Sequence, residues 1–438
     1  MSASNEQVTP ALNDKRIINA WALFDWANSS YALVITVAIF PAYYIAVTED
    51  IIYLGNMKVS NSALYAYAIS TAYLIIALLS PLLSGIADYG GKRKFFMKFF
   101  TFMGGLACIS LFFFQGMAQL ALGTIAFILA TIGFAGGLVF YNSYLPEIVT
   151  EDRYDNVSAR GFAFGYIGSV LLLLTNLFVI QNAEMFGIQE ESLAVRMAFV
   201  MVGLWWIGWA LIPFSRLPDD SKGKPGEKLI SKGFEELKKV WNEVKTQRHT
   251  KTFLYSFFCY SAGVQTVLFL ASTFAEKELQ FGTSELIMVV LLLQIVAIGG
   301  AYLFAKLSDV KGNKLALIVM LLIWTGICMI AYFVENQTQF YAIAGAVGLV
   351  MGGIQSLSRS TYSKLLPEDT PDTTSYFSFY DVLEKVAIIL GTFTFGFIDQ
   401  VTGSMRTSIL VLAVFFIISL IILSRIKIQS AVTTIAEK

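Results

Sequence analysis

The chain of 438 residues contains one histidine, His249. It lies beside charged residues in a polar stretch, where a solvated position is expected. No apolar run therefore carries an imidazole for a catalytic dyad or a buried metal cage. Cysteine is equally scarce. Cys108, Cys259 and Cys328 are far apart and each sits in an apolar run, which excludes a disulfide framework or metal-ligand spacing. Charged residues make up only 14%, against roughly 25% in an ordinary soluble domain, and that excludes a soluble globular enzyme. The charge that is present cancels, 31 Lys plus Arg against 31 Asp plus Glu, so no bulk affinity for nucleic acid is indicated. Alternating ten-residue strands are missing, which argues against a membrane β-barrel. The glycine pairs Gly136-Gly137 and Gly352-Gly353 lie inside apolar helical runs. There they permit close helix packing and do not form a phosphate cradle, and no cofactor is implied.

What the sequence has in abundance is apolar surface, 56% of its residues. Runs of about twenty apolar residues recur, the length that crosses a bilayer as a helix. Twelve spans are expected near 17–47, 60–87, 94–115, 118–145, 157–181, 193–214, 251–275, 284–307, 314–334, 338–365, 375–398 and 405–426. Several exceed the bilayer thickness and should tilt or bend, with Pro41 and Pro81 as bend points. The polar start ends in Lys15-Arg16, and the run after it is too long for a signal h-region, so it is read as an uncleaved first span.

One long polar stretch, from Ser215 to Thr250, divides the twelve spans into six and six. The expected fold is an all-α membrane protein of two pseudo-symmetric six-helix bundles, residues 1–214 and 251–438, joined by the linker 215–250. Asp219, Asp220, Gly223, Pro225 and Gly226 mark a flexible linker start. Ile230, Phe234, Leu237, Trp241 and Val244 then form one apolar stripe on a lysine-studded helix, suited either to the inner membrane surface or to bracing the two halves. With the amino terminus in the cytoplasm, 26 of the 31 basic residues fall on the cytoplasmic side. Only Lys58, Arg196, Lys277 and Arg406 fall outside, and Lys385 lies within a span. A monomer with both termini cytoplasmic is expected, in the inner membrane if the source is a bacterium.

A repeat supports the division. The loop after span 2 carries Asp88, Gly91, Lys92 and Arg93; the loop after span 8 carries Asp309, Gly312 and Lys314, 221 residues later. Spans 4 and 10 each hold a Gly-Gly pair and each end in Leu-Pro-Glu. Twelve spans in two halves with Asp-x-x-Gly-x-basic in the 2–3 and 8–9 loops resemble the major facilitator superfamily. That resemblance implies a clasp between the halves made by Asp88, Lys92 and Arg93, with Asp309 and Lys314 as a weaker copy. Ser84 and Ala305 stand where the family pattern has glycine. The run Trp21-Ala-Leu-Phe-Asp25-Trp26-Ala-Asn28-Ser29-Ser30-Tyr31 resembles the vacuole-effluxer-like, or "unknown major facilitator", branch. So do Asn156-Val-Ser158-Ala-Arg160-Gly161 through Gly168, Gly353-Ile-Gln355-Ser-Leu-Ser358-Arg359-Ser360, and Phe379-Tyr380. The resemblance covers essentially the whole chain. It implies a secondary transporter of a small polar or amphipathic solute, with export of amino acids linked to fungal members.

Charges within spans are expensive and mark candidate functional residues. Asp25, with Asn28 and Ser29 on the same helical face, either binds solute or carries a proton, or else clamps the opposite half. Span 11 carries Tyr380, Asp381, Glu384 and Lys385. Asp381 and Lys385 are four apart and suited to pair, whereas Glu384 has no partner of opposite sign on its own polar face. Glu384 and Asp25 are therefore the carboxylates expected to exchange a proton; the competing reading is a structural network. Arg359, on one face with Gln355 and Tyr362, is suited to a carboxylate or to pinning the helix end. Glu147 and Arg160 bracket the 4–5 loop as an expected gate pair. Tyr141, Asn142, Gln265 and Gln294 are neutral polar residues at pocket depth. The partners implied are a small solute, protons and the lipid bilayer. A non-transporting receptor with the same fold and an exporter of lipid-like solutes remain alternatives.

Overall fold

The computed structural model describes residues 12–54, 57–220, 229–368 and 370–426. The expected flexible linker start at Gly223, Pro225 and Gly226 lies outside them. Among the described residues, ten helices are long and apolar enough to cross a membrane. Two further long helices, Arg248–Leu279 and Thr373–Thr402, occupy the seventh and eleventh places. Together they fill the twelve expected positions. The remaining spans are Lys15–Val47, Asn61–Gly90, Arg93–Phe113, Met117–Ile148, Glu151–Gln181, Glu191–Arg216, Thr283–Lys311, Asn313–Ala331, Gln337–Lys364 and Met405–Ser424.

Helix boundaries follow local chemistry. Asp14 caps span 1 by accepting from the Arg16 amide, Ser60 caps span 2, Asn336 caps span 10 and Ser404 caps span 12. Gly91, at φ 59°, ends span 2 in the left-handed conformation that a residue with a side chain disfavours. Span 1 is not uniform. Its middle, Tyr31–Ile39, winds as a π-helix directly before Pro41 in the segment Phe40–Val47. Proline cannot donate to the preceding turn, and the wider winding absorbs that loss. Pro81 lies within the unbroken helix Asn61–Gly90. A short antiparallel hairpin, Ile51–Leu54 with Met57–Ser60, joins spans 1 and 2.

The packing repeats itself. Span 1 packs on spans 5 and 6, span 3 on spans 4 and 6, and span 2 on span 4. In the second half, span 7 packs on spans 11 and 12, span 9 on spans 10 and 12, and span 8 on span 10. The junction obeys the same symmetry: span 2 meets span 11 as span 8 meets span 5, and span 5 meets span 10 as span 11 meets span 4. One buried cluster fills the first half around Trp21, Tyr31 and Trp206, and a second fills the other half around Trp324, Tyr362 and Phe416. Leu229–Thr246 forms the linker helix. It packs mainly on span 2, where Gly233 meets Gly85 and Ile86. Val240 and Val244 are buried, while Ile230, Phe234 and Trp241 stay exposed. The stripe thus splits between a bracing edge and an outward-facing edge.

Candidate functional site

A cavity of about 320 Å³ lies between the halves. Spans 1, 4, 7 and 10 line it, and spans 2, 5, 8 and 11 contribute too. A second hollow of about 50 Å³ inside the second half has an almost wholly apolar lining. The chemistry therefore belongs to the larger cavity, which holds two charged nodes.

The first node joins Asp25 to Arg359, 334 residues apart. Arg359 Nη1 lies 3.5 Å from Asp25 Oδ2 and donates to Asn142 Oδ1 at 3.1 Å. Its Nε donates to Ser158 Oγ at 2.9 Å and its Nη2 to the Ser158 carbonyl at 2.8 Å. Asp25 also accepts from the Tyr141 hydroxyl at 3.0 Å and from Ser29 Oγ at 3.1 Å. The guanidinium sits over the rings of Trp21 and Phe162, a favourable place for a planar cation. Gly161 makes this approach possible, because a Cβ there would come within 2.9 Å of Trp21, Tyr141 and Arg359 together. Two expectations are corrected here. Asp25 is not the unpaired carboxylate expected for proton exchange but clamps the opposite half, its alternative reading, and Arg359 faces that carboxylate instead of pinning an exposed helix end. Both side chains are under 5% exposed. The cause is a contact between spans 1 and 10, which spacing within one helix does not reveal.

The second node is on span 11. Lys385 Nζ lies 2.5 Å from Asp381 Oδ1, the expected pair one turn apart. It also lies 3.7 Å from Glu384 Oε2, so Glu384 shares a cation it was expected to lack. Glu384 Oε1 accepts from Gln265 Nε2 at 3.1 Å. Gln355 accepts from the Tyr166 hydroxyl at 2.6 Å, and Gln294 lines the same cavity. Asn28 is fully buried, its side chain unpartnered among the described residues. It does not line the cavity, so the expected shared face with Asp25 fails there: within the α-helical part of span 1, three residues turn Asn28 about 60° to one side of Asp25, while Ser29 falls to the other.

A band of polar contacts closes one end of the cavity, the end bearing the linker. Asp88 accepts from the amides of Thr374 at 3.3 Å and Ser375 at 2.7 Å, capping span 11 across the halves. Arg93 forms a two-pronged pair with Glu147, and Thr373 Oγ1 donates to Glu147 at 2.9 Å. Arg93 also stacks on Tyr144. Lys92 is exposed and joins no ion pair among the described residues. Arg160 does not pair with Glu147; its guanidinium lies over Phe164, one turn along. Asp309 accepts from Asn156 at 2.7 Å. Lys314 departs from the expected copy: it donates to the carbonyls of Ser424 and Ile426 at the end of span 12. Its true counterpart is Lys94, which donates to the Leu217 carbonyl just after span 6. Lys94 also holds Asp219 below the usual carboxylate range, by hydrogen bond and charge. Burial pushes neighbouring Asp220 up, although Arg93 and Lys94 favour its ionised form.

The sequence reading missed Asp155, at the start of span 5. Its carboxylate accepts from Ser308 Oγ, Asn313 Nδ2 and Lys364 Nζ, all in the other half, at 2.9, 2.8 and 2.7 Å. The repeat held the signal: if the loop after span 2 caps span 11, the loop after span 8 must meet span 5.

The family model for vacuole effluxer Atg22-like proteins matches residues 13–435. The chain belongs to this family. Similar proteins include the "uncharacterized MFS-type transporter YxiO" of Bacillus subtilis, 31% identical over 93% of this chain and 94% of that one. Autophagy-related protein 22 of Saccharomyces cerevisiae is 24% identical over 84% of this chain and 78% of its own. The fold of this Atg22-like chain is that of major facilitator superfamily structures. The FucP transporter in its outward conformation matches with a TM-score of 0.69 at 13% identity, over 93% of this chain and 97% of that one. The human organic anion transporter MFSD10 matches with 0.70 at 13%, over 94% and 100%. The chain is a multi-pass membrane transporter and not an enzyme.

Proposed function

We propose that this chain carries a small polar or amphipathic solute, amino acids among the candidates, by alternating access around the central cavity, with protons as the coupling ion and export as its direction. One observation carries the reading. Among the described residues, every side-chain hydrogen bond between the two six-helix halves lies at the Tyr166–Gln355 pair or on its linker side. A carrier closed at one end has this pattern: breaking the band and forming another at the far end would move the same cavity across the bilayer. With the halves taken as residues 1–214 and 251–438, the basic-residue asymmetry supports a cytoplasmic linker end. The cavity then faces outward, and the clasp of Asp88, Arg93, Glu147, Asp155 and Asp309 is the inner gate.

Coupling rests on Glu384, the most exposed charge in the cavity, with Asp25 held in reserve by Arg359. The likeness to a family named for a vacuole effluxer supports export as the direction. The test is uptake and counterflow in proteoliposomes across amino acids, small amines and small organic acids, with and without a pH gradient. Gradient-driven accumulation of at least one solute is expected. No movement of any solute in liposomes holding folded protein would refute the carrier reading.

A further inference from the structure

We infer that the cavity recognises its solute through a protonated amine, with Glu384 as counter-ion, and offers no cation to a carboxylate. The solute class is small organic monocations with an apolar body. This deepens the carrier reading above and rests on it.

The inference begins with a charge count. Asp25, Arg359, Asp381, Glu384 and Lys385 meet in or beside the cavity. Three carboxylates face two cations, so one negative charge is left over when all are ionised. Exposure decides where it is available. The side chains of Asp25, Arg359, Asp381 and Lys385 are 3–5% exposed, and that of Glu384 is 28% exposed. The surplus charge therefore meets the cavity at Glu384.

Both cations are already committed. Arg359 donates to Ser158 and Asn142 and faces Asp25. Lys385 is held between Asp381 and Glu384. An incoming carboxylate would have to break a buried pair and strand its partner, which is strongly unfavourable. The node is instead short of donors: among the described residues, Asp381 Oδ2 is buried with no partner and Glu384 accepts a hydrogen bond only from Gln265. An ammonium brings three donors and no acceptor.

The walls agree with a cation that carries apolar bulk. Tyr380 stacks on Phe257 at 4.0 Å, and Tyr260 meets Phe257 edge-on at 5.5 Å. Aromatic faces attract cations and accept apolar bodies. Among the described residues, Tyr73 of span 2, Tyr260 and Gln265 of span 7, and Tyr380, Asp381 and Lys385 of its own helix lie around Glu384. Lys385 is the single cation among them.

The test uses four solutes sharing one branched apolar body: leucine, leucinamide, 3-methylbutylamine and 3-methylbutanoate. Binding to the purified full chain is measured by titration calorimetry at neutral pH. The two amines lacking a carboxylate should bind at least about tenfold tighter than leucine, and the acid should not bind. Leucine tighter than leucinamide, the acid binding like the amine, or neither amine binding would each overturn the inference. Glu384→Gln should weaken both amines at least about tenfold while eluting as the parent does; unchanged amine affinity overturns it. The four-solute comparison needs no variant, so a misfolded variant does not shelter the claim. Counterflow of the same solutes separates the two readings. Amines that bind without any counterflow leave the inference standing and refute the carrier. Counterflow of leucine or the acid, with amines inert, does the reverse.

Discussion

Replacing Asp155 by asparagine should tip the molecule open at its linker end. The carboxylate accepts three bonds from the opposite half at 2.7–2.9 Å, and its side chain is 2% exposed. An amide keeps one acceptor and turns a donor toward donors. Stranding the partner of a buried pair costs about 3–5 kcal/mol. Lys364 is 13% exposed and still donates to Asn313 Oδ1 at 2.7 Å, so the loss is smaller. We take about 2–3 kcal/mol, one to two charged hydrogen bonds. At about 1.4 kcal/mol per factor of ten, the closed-to-open ratio should fall roughly 30- to 150-fold. Spin labels at the exposed positions Lys92 and Lys311, one in each half beside the clasp, report the opening by pulsed electron resonance. A longer-distance population should grow from minor to substantial. An unchanged distance distribution, in a variant that elutes like the parent, would refute the assignment of Asp155 to the gate.

Asp88→Asn should act in the same direction but more weakly, by about 1–2 kcal/mol, because it loses a helix-end charge and keeps one acceptor for the Ser375 amide; the same label pair measures it. Glu384→Gln should abolish accumulation driven by a pH gradient while exchange down a solute gradient stays measurable. Loss of both activities together with a lowered melting temperature would make Glu384 structural. Gly352→Ala should lower the melting temperature, since a Cβ there overlaps the Ala297 backbone between spans 8 and 10; overpacking of this kind costs about 1–3 kcal/mol. An unshifted melt would show that the helices part freely at that point.

The twelve spans and the six-plus-six division were legible because apolar length and loop chemistry are local properties. The clasp was half legible. Asp88 and Arg93 were marked by a motif that recurs at half the chain length; Asp88 meets Thr374 and Ser375 across the halves, whereas Arg93 pairs with Glu147 in its own half and reaches the other only at Thr373, 3.4 Å away. Lys314 was assigned to the wrong counterpart, because the motif aligns it with Arg93 whereas its contacts align it with Lys94. Asp155 escaped notice because it sits in an ordinary polar helix start. Its importance comes from three side chains lying 153 to 209 residues away. The same holds for Asp25 and Arg359: each was marked by its charge within a span, but their mutual neutralisation is a tertiary fact. Glu384 stood out in the sequence through its lack of a helical-face partner, and its exposure in the cavity keeps it the most available charge there even with Lys385 nearby.

On the proposed mechanism, two rigid halves exchange one closed end for the other around a shared cavity. Two label pairs in one sample measure this directly: Lys92 with Lys311 at the linker end, and Glu184 with Gln337 at the opposite end, all four exposed and each pair spanning the halves. Conditions that lengthen the first distance should shorten the second, with Asp155→Asn enriching the state in which the linker end is open. Distances that change at one end alone, or at neither end under any solute or pH gradient, would contradict it.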